Sequence, residues 1–315
     1  MKKIAVLGAT GYIGKSLVYK LILKKNYEIF LFARSTKKLK DFLKLYTKYS
    51  VNKVKKIDDF RFGKYDVVIN CVGIGDPKKM KEAGYELFEI TEKFDNLIIN
   101  YLKINPKTVY INLSSGAVYG KSIEKPIHKK SLLVLDINNV DQGDCYTVTK
   151  INCEAKHRAI ANLNIIDIRL FSFFSRFIEL ENSGFLLSHI INSINKKRTF
   201  YAISTNFIRD FINPEDLLRL IELIIKKGKI NDFFDAYSKK PISFFKLLKF
   251  FEKNYGLKYK FKDDLKLVSP TGPKNSYFSS NKKAVSLGYI PTYSSLGGIA
   301  EEVKYLIKQF DNEPF

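Results

Sequence analysis

The sequence predicts an α/β fold: a doubly wound parallel sheet with helices on both faces, followed by a smaller, mostly helical C-terminal lobe. Short apolar runs alternate with amphipathic segments through the first half of the chain, which is typical of such a sheet. The predicted strands cover 4–7, 29–32, 67–71, 109–113 and 165–170. The helices that alternate with them cover 16–23, 36–46, 85–103 and 145–161. Since parallel sheets bind ligands where their strands end, we expect the functional residues at the carboxyl edge.

Beyond residue 170 the pattern is less regular and richer in aromatic residues. Helices are predicted at 185–195, 216–227, 243–254 and 295–309. We therefore expect a large domain over 1–170, to which 206–240 returns. A substrate-binding lobe is expected over 171–205 and 241–315.

Composition excludes several classes of protein. The 315 residues carry a formal charge of +22, but the lysines are scattered and accompany many Ile, Asn, Tyr and Phe, so we read most of the charge as compositional bias. It would still attract an anionic cofactor and substrate, whereas nucleic acid is not the expected partner. No long apolar run or secretory segment is evident, and the three cysteines have no metal-ligand spacing. We expect a cytoplasmic protein with no membrane span and no metal.

The first strand runs directly into a glycine-rich turn and a helix. The turn reads Gly8-Ala9-Thr10-Gly11-Tyr12-Ile13-Gly14. Glycines at a strand-to-helix turn let the backbone approach a pyrophosphate, whose charge the helix N-terminus stabilises. The turn therefore predicts a dinucleotide site.

A second string, Tyr146-Thr147-Val148-Thr149-Lys150, sets a phenol and an ammonium four residues apart on one helical face. A free phenol has a pKa near ~10, and a nearby ammonium favours the phenolate. Tyr and Lys at this spacing are common by chance in a chain with 19 tyrosines. The pair gains weight from the glycine turn, and together they predict a reductase.

The residue that follows the second strand indicates which dinucleotide is bound. NAD enzymes commonly place a carboxylate there to bind the ribose hydroxyls. This chain has Arg34 instead, followed by Ser, Thr and two lysines. A guanidinium suits a 2′-phosphate, so NADP is the expected cofactor and NAD the alternative. Arg34 could also simply begin a solvated helix.

Taken in order, the motifs resemble the extended short-chain dehydrogenase/reductases, the NAD(P)-dependent sugar-nucleotide epimerase/dehydratase/reductase family. Six collinear blocks span nearly the whole chain. They are the glycine turn, Ser114-Ser115-Gly116-Ala117-Val118-Tyr119-Gly120, Tyr146…Lys150, Arg169-Leu170-Phe171, Arg209-Asp210-Phe211-Ile212…Asp216-Leu217, and Ser280-Asn281-Lys282-Lys283-Ala284…Leu287-Gly288-Tyr289…Pro291.

The resemblance implies a Rossmann-like dinucleotide-binding domain and a role for each motif. The catalytic set would be Ser115, Tyr146 and Lys150, with Ser114 as the fallback for the serine. The residues in contact with the substrate would be Ser115, Tyr119, Ser172 and Arg209, and Arg209 would bind the diphosphate of the substrate. Alternatively, Arg209 forms a salt bridge with Asp210 or Asp216. The cofactor would contact Gly8, Thr10, Gly11, Tyr12, Ile13, Gly14, Arg34, Asp58, Asp59, Cys71, Val72, Gly73, Tyr146, Lys150 and Phe171, with Asp58 or Asp59 at the adenine. The helices at 85–103 and 145–161 would form a homodimer interface.

In the chemistry that the family performs, Ser115 would hold the substrate oxygen near the Tyr146 hydroxyl. Tyr146 would donate a proton to a ketone oxygen as hydride reaches the carbon, while Lys150 stabilises the phenolate and holds the nicotinamide ribose. Where the family has Asn after its Arg-x-Phe string, this chain has Ser172 in a loop without glycine. The pattern therefore favours redox chemistry more than any one sugar.

We expect an NADP-dependent reductase acting on a keto group, at C4, of a nucleotide-activated deoxy sugar for surface polysaccharide. An epimerase that retains NAD is the alternative, and dehydration is disfavoured because no acidic residue follows Ser115. A protein of another class, an NADP-binding sensor or scaffold without turnover, is also considered. Intact Ser115, Tyr146 and Lys150 argue against it.

Overall fold

Seven parallel strands form the central sheet in this computed structural model, which describes residues 1–47, 53–120, 123–133, 135–262 and 274–307. The strands are β1 (Lys2–Leu7), β2 (Tyr27–Ala33), β3 (Val54–Lys56), β4 (Val67–Asn70), β5 (Val109–Ser115), β6 (Ile165–Leu170) and β7 (Asp232–Asp235). Their order across the sheet is β7-β6-β5-β4-β1-β2-β3, and every neighbouring pair is parallel. The predicted doubly wound parallel sheet is confirmed.

The chain order reverses between β1 and β4, which lie side by side. After β1 the chain moves to one side of the sheet through β2 and β3, and then returns to begin the other half at β4. The crevice at such a reversal is where open parallel sheets bind ligands. Gly8 and Cys71, the first residues after these two strands, therefore stand at the expected binding edge.

Nine helices occur in the described part of the chain. They are α1 (Tyr12–Leu23), α2 (Thr36–Tyr46), α3 (Pro77–Ala83), α4 (Glu86–Ile104), α5 (Cys145–Ala159), α6 (Leu186–Asn195), α7 (Pro214–Lys227), α8 (Phe244–Tyr255) and α9 (Ser295–Val303). All eight predicted helices are present, α2 with the predicted bounds and the others with shifted ends, and residues 308–309 of the last lie outside the described residues. The short α3, which Asp76 caps at its N-terminus, was not predicted.

The two edge strands were not predicted either. β3 has three residues, two of them exposed, so its sequence carries no apolar run. β7 reads Asp-Phe-Phe-Asp, with a carboxylate at each end. Strands of three and four residues are too short to show a clear alternating or apolar pattern.

The buried apolar residues form two large clusters and several smaller ones. One large cluster joins the sheet to α1, α2 and α7 and contains Leu17, Leu39 and Ile221. On the opposite face of the sheet a smaller cluster contains Ile98 and Leu102 of α4. Helices on both faces thus bury every residue of the central strands β4 and β5, as strands in the middle of a parallel sheet require.

The second large cluster is built from the C-terminal half, with Phe174, Ile190, Phe251 and Ile299 among its members. Ala284 and Tyr289 lie within the segment assigned to the substrate lobe, yet they pack in the cluster on the sheet. Within 206–240, α7 packs in the cluster on the sheet and β7 pairs with β6. The division into two lobes stays a prediction.

Pairs of short strands lie between the second large cluster and the carboxyl edge of the central sheet. Ser172–Phe173 pairs with Phe211–Ile212, and Ile208–Arg209 lies between Ile242–Ser243 and Ser276–Tyr277. A further pair, Phe200–Ala202 with Tyr259–Phe261, lies beside α6. Residues far apart in sequence are thereby brought beside the end of the central sheet. Across the described helices, none is both long and apolar enough to cross a membrane.

Candidate active site

The turn after β1 has the geometry of a phosphate-binding loop. Gly8 has a positive φ of 75°, and a Cβ on it would lie 2.8 Å from the backbone of Cys71. A Cβ on Gly14 would lie 2.2 Å from the carbonyl oxygen of Gly8. The N-cap of α1 is Gly11, and none of the described side chains caps the helix, which leaves its first N–H groups without a side-chain acceptor. The shape of this turn fits a dinucleotide pyrophosphate, and its role in binding one stays a prediction.

A cavity of about 1890 Å³ extends from this turn along the carboxyl ends of the strands to the second cluster. It brings together most of the residues that the sequence singled out. Those that line it are Thr10, Gly11, Tyr12, Ile13, Arg34, Cys71, Val72, Gly73, Ser115, Tyr146, Lys150, Phe171, Ser172 and Arg209. Gly8 and Gly14 lie beneath the wall and shape the turn.

Tyr146, Lys150 and Ser115 meet on one wall of this cavity. Tyr146 and Lys150 stand one turn apart on α5, and the Lys150 Nζ atom lies 5.8 Å from the centre of the Tyr146 ring. Lys150 is only 6% exposed, and its Nζ atom donates a hydrogen bond to the Leu113 carbonyl oxygen at 3.1 Å. That bond ties α5 to β5, whose last residue is Ser115. A phenol, an ammonium and a hydroxyl therefore face one space.

Ser115 has a neighbour that the sequence analysis missed. Its Oγ atom lies 3.2 Å from the hydroxyl oxygen of Tyr277 and accepts a hydrogen bond from the Ala117 N–H at 3.1 Å. Tyr277 lines the same cavity and comes from a two-residue strand 162 positions later in the chain. No local pattern around Tyr277 indicates this placement.

Tyr119, predicted to contact substrate, does not line the cavity. Its hydroxyl donates to the Asp235 carboxylate, at 3.0 and 3.1 Å to the two oxygens, and accepts from Arg169 at 2.7 Å. These charged partners hold the phenol inside a buried network instead of at the ligand. Contact between Tyr119 and a substrate therefore stays a prediction, although the residue does not line this cavity.

The same network decides between the two serines. The Ser114 hydroxyl donates to Glu154 at 2.5 Å, and Glu154 also accepts from Arg169. Although Ser114 touches the cavity wall, its hydroxyl is committed to a buried carboxylate. Ser115, and not Ser114, is therefore the serine whose hydroxyl faces the cavity on the wall that Tyr146 and Lys150 also line.

Asp58 and Asp59, expected at the adenine, are not brought to this cavity. They lie in a single 3₁₀ turn, Ile57–Phe62, with both side chains exposed. Asp59 lines a separate cavity of about 430 Å³, together with Phe62 and lysines of α2 and β3. Within the turn, Ile57 and Phe60 take the buried positions, so the two carboxylates point to solvent.

Positive charge marks the end of the cavity near the second strand. Arg34, Ser35 and Lys38 line this end, and Lys15 of α1 lies beside them. Burial lowers the pKa of the Lys15 ammonium and Lys38 lowers it further, while Glu179 acts in the opposite direction. A group with several negative charges would relieve this crowding of cations.

Arg209 supplies positive charge at the other end. Burial lowers the pKa of its guanidinium to about 10, and its Nη1 atom donates to the carbonyl oxygens of Ile208 and Lys274. Among the described residues, Arg209 forms no ion pair with Asp210 or Asp216, the alternative that the sequence left open. Asp210 accepts hydrogen bonds from Ser238 and Ser295, and Asp216 accepts from the N–H groups of Thr292 and Tyr293.

A second cation accompanies Arg209. Lys274 is 3% exposed and lines the cavity. Burial lowers the pKa of its ammonium to about 7, and the charge of Arg209 contributes. Sequence analysis did not find Lys274 because it follows no family motif.

Two other predicted residues have clear structural roles. Cys71 follows β4 in the cavity wall, and burial raises the pKa of its thiol to about 12, as expected for a small apolar group. Tyr12 connects the glycine turn to the C-terminal half, because its hydroxyl donates to the Phe173 carbonyl and accepts from the Ser175 N–H. Ser172 stands beside that junction. In the described residues no group of three His, Cys, Asp or Glu side chains could hold a metal ion.

Comparison with known proteins agrees with this geometry. A sequence model described as the NAD dependent epimerase/dehydratase family matches residues 4–236. No curated protein matches the chain in sequence. Among solved structures, UDP-glucuronic acid 4-epimerase from Bacillus cereus, in complex with UDP-glucuronic acid and NAD, has 18% identity and a TM-score of 0.77, covering 96% of this chain and 98% of that chain.

Two further structures show the same fold. UDP-N-acetylglucosamine 4-epimerase from Methanobrevibacter ruminantium M1 has 15% identity and a TM-score of 0.78, with 98% of each chain covered. dTDP-glucose 4,6-dehydratase from Bacillus anthracis, in complex with NAD, has 15% identity and a TM-score of 0.76, covering 97% of this chain and 96% of that chain. The fold is shared along nearly the whole length of each protein.

Proposed function

The chain belongs to the NAD dependent epimerase/dehydratase family, and from that premise we propose that it is an NADP-dependent reductase of a keto group on a nucleotide-activated deoxy sugar. One observation carries the proposal. A glycine turn that fits a pyrophosphate and the trio Ser115, Tyr146 and Lys150 line one continuous cavity.

The residues of the wall can perform the protein's part of a ketone reduction. A nicotinamide cofactor bound in the cavity supplies or accepts a hydride. Tyr146 gives its phenolic proton to the ketone oxygen, which becomes a hydroxyl. Lys150 stabilises the phenolate left behind, because its buried ammonium stands one helical turn away. Ser115 binds the same substrate oxygen and keeps it within reach of Tyr146.

The choice of NADP rests on the positive end of the cavity. Arg34 stands directly after β2, where NAD enzymes commonly have a carboxylate. Lys15, Ser35 and Lys38 line the cavity beside it. A 2′-phosphate would take hydrogen bonds from Arg34 and Ser35 and would lower the mutual repulsion of Lys15 and Lys38.

The choice of substrate class rests on Arg209 and Lys274. The Arg209 guanidinium and the neighbouring Lys274 amine, which a bound anion would keep protonated, suit a diphosphate, which carries at least two negative charges. The structures named above are of enzymes that act on UDP-sugars or a dTDP-sugar. A keto-sugar nucleotide would place its diphosphate at Arg209 and its carbonyl, at C4, near Ser115. Synthesis of a surface polysaccharide is the biological role that we infer.

A second candidate function is epimerisation with tightly bound NAD. It is favoured by the comparison, since one epimerase structure of the same fold holds NAD together with UDP-glucuronic acid. An epimerase would use Tyr146 in both directions of one catalytic cycle and would keep its cofactor. A reductase exchanges its cofactor at each turnover. The Arg34 side chain is exposed, so the end of the cavity that would hold the 2′-phosphate is open to solvent and would permit this exchange.

Two measurements test the proposal. The purified protein is denatured and the released nucleotide is identified, and the native protein is screened with NADPH and NADH against 4-keto-6-deoxy sugar nucleotides. The proposal predicts NADPH consumption with formation of a reduced sugar nucleotide. Stoichiometric NAD in the purified protein, with interconversion of UDP-sugars and no consumption of NADPH, would establish the epimerase instead.

A further inference from the structure

The Ser115 hydroxyl is surrounded by two hydrogen-bonding groups besides the space where substrate would lie. The Ala117 N–H can only donate, and it lies 3.1 Å from Ser115 Oγ. The Tyr277 hydroxyl lies 3.2 Å from the same atom, at a separation where either hydroxyl could donate. The direction of this second bond decides what Ser115 can offer to a substrate.

A serine hydroxyl has one proton and two lone pairs. The Ala117 N–H occupies one lone pair. If Tyr277 donates, the second lone pair is occupied too, and the serine proton is left for the substrate. If Ser115 donates to Tyr277, the serine can no longer donate to a substrate oxygen.

The surroundings of Tyr277 favour the phenol as the donor. A phenol is a stronger hydrogen-bond donor and a weaker acceptor than an aliphatic hydroxyl. The Lys274 Nζ atom lies 4.9 Å from the centre of the Tyr277 ring and the Arg209 guanidinium carbon lies 5.9 Å from it. The Arg209 cation, and Lys274 when it is protonated, draw electron density towards the ring face and polarise the O–H bond further.

The phenol also keeps its proton. Burial raises the pKa of Tyr277, and the hydrogen bond with Ser115 offsets only part of that rise. The charge of Tyr146, when that residue is a phenolate, acts in the same direction as burial. Tyr277 therefore remains a donor at the moment when Tyr146 has given up its proton.

The backbone holds Tyr277 in place independently of the ligand. The strand Ser276–Tyr277 pairs with Ile208–Arg209, and the ring packs against Phe171 at 5.1 Å between ring centres. Phe171 in turn packs so closely on Gly116 that a Cβ there would lie 2.5 Å from its ring. Tyr277 is thus held, through Phe171, against Gly116, the residue that follows Ser115.

We propose that Tyr277 is a positioning residue of the active site: it donates to Ser115 Oγ and so directs the serine O–H towards the reacting oxygen of the substrate. The inference rests on the proposed function, in which that oxygen belongs to a ketone. A ketone oxygen can only accept hydrogen bonds, so a serine held as a donor matches it. Ser115 and Tyr146 would then donate to the same oxygen from two sides.

A double-mutant cycle on the full-length protein tests the inference. The variants are Tyr277→Phe, Ser115→Ala and the pair together. The first readout is the urea midpoint of unfolding, which needs no substrate. Tyr277→Phe is expected to lower the midpoint when Ser115 is present and to have a smaller effect when Ser115 is already alanine, because the hydrogen bond is then absent.

The second readout is kcat on the keto-sugar nucleotide that the wild type reduces. With Ser115 present, Tyr277→Phe is expected to lower kcat by about tenfold, which is the loss expected for one hydrogen bond of ordinary strength. In the Ser115→Ala background the same substitution is expected to lower kcat by less than twofold. The control is Tyr289→Phe, which removes another buried phenol donor, to the Tyr237 carbonyl, outside the cavity. It should lower the midpoint equally in both backgrounds and leave kcat unchanged.

The outcomes separate the two claims. Equal effects of Tyr277→Phe in both backgrounds, in the midpoint or in kcat, would overturn the positioning role. A wild-type protein that turns over no sugar nucleotide would overturn the proposed function, while the midpoints would still decide whether Tyr277 and Ser115 are coupled.

Discussion

The Lys150 Nζ atom donates a hydrogen bond to the Leu113 carbonyl oxygen at 3.1 Å, so the buried ammonium of α5 is bound to the strand that ends at Ser115. This bond fixes the distance between the helix that carries Tyr146 and the strand that carries Ser115. It also leaves two of the three ammonium protons for other acceptors. Lys150 therefore combines an orienting role with its electrostatic one.

Replacing Lys150 removes both roles. We expect Lys150→Gln to lower kcat/KM by about 100-fold, because a neutral amide neither stabilises a phenolate nor fills the same geometry. The measurement is steady-state NADPH oxidation. Lys156→Gln, on the same helix but directed at Asp95, is the matched control and should leave kcat/KM unchanged. An equal loss of kcat/KM in the two variants would show that Lys150 has no specific role in catalysis.

Arg34 should determine the preference between the two cofactors. We expect Arg34→Ala to raise the KM for NADPH by about tenfold to 100-fold, the loss of a charged hydrogen bond, and to change the KM for NADH by less than twofold. The control is Lys37→Ala, an exposed residue of α2 outside the cavity lining. A wild-type protein that prefers NADH, or an Arg34→Ala variant with unaltered preference, would contradict the NADP assignment.

A buried histidine should make stability depend on pH. His157 is fully buried on α5, with Nδ1 2.9 Å from Asp167 and Nε2 2.7 Å from Asp95. Burial alone would lower the pKa of His157, but the hydrogen bonds to the two carboxylates outweigh it and raise the pKa to about 9. Near neutral pH the ring is therefore a cation between two anions.

Because the pKa of His157 is higher in the folded chain than the ordinary value near 6.5, protonated His157 stabilises the fold. This stabilisation, on the order of 3 kcal/mol, is complete below about pH 6.5 and is lost as the pH rises through about 9. Urea unfolding at several pH values measures it. His157→Gln should flatten the decrease between pH 6.5 and 9. If the variant showed the same decrease as the wild type, another group would be responsible.

The glycine turn, the Tyr146–Lys150 pair and the central strands could be predicted because each depends on a local pattern. Gly8 and Gly14 occupy positions where a Cβ would meet nearby backbone, and a strand-to-helix turn of this kind has a recognisable sequence. Tyr146 and Lys150 are one helical turn apart in any helix. Such features need no knowledge of distant residues.

Tyr277 and Tyr119 could not be assigned in that way. Tyr277 reaches Ser115 through a two-residue strand, and its partner strand lies more than 60 residues earlier in the chain. Tyr119 stands in a family motif, but Asp235 and Arg169, both distant in sequence, hold its hydroxyl away from the cavity. The direction of a polar side chain depends on which charged groups the fold brings beside it.

The homodimer and the two-lobe division also stay predictions. α4 and α5 pack against each other on one face of the sheet, and His157 of α5 bonds to Asp95 of α4 across that contact. The family resemblance implies that these helices would form the pairing surface between subunits. A measurement of molar mass in solution, by light scattering, would decide it.

The most direct test of the central claim is the NADPH oxidation rate of wild type and Tyr146→Phe on the keto-sugar nucleotide that the wild type prefers. Removal of one hydroxyl leaves the ring and the cavity wall in place, and proton transfer by a positioned side chain contributes about 100-fold to 10,000-fold. We predict a fall in kcat of at least about 100-fold with an unchanged affinity for NADPH. A Tyr146→Phe variant that retained wild-type kcat would contradict the account.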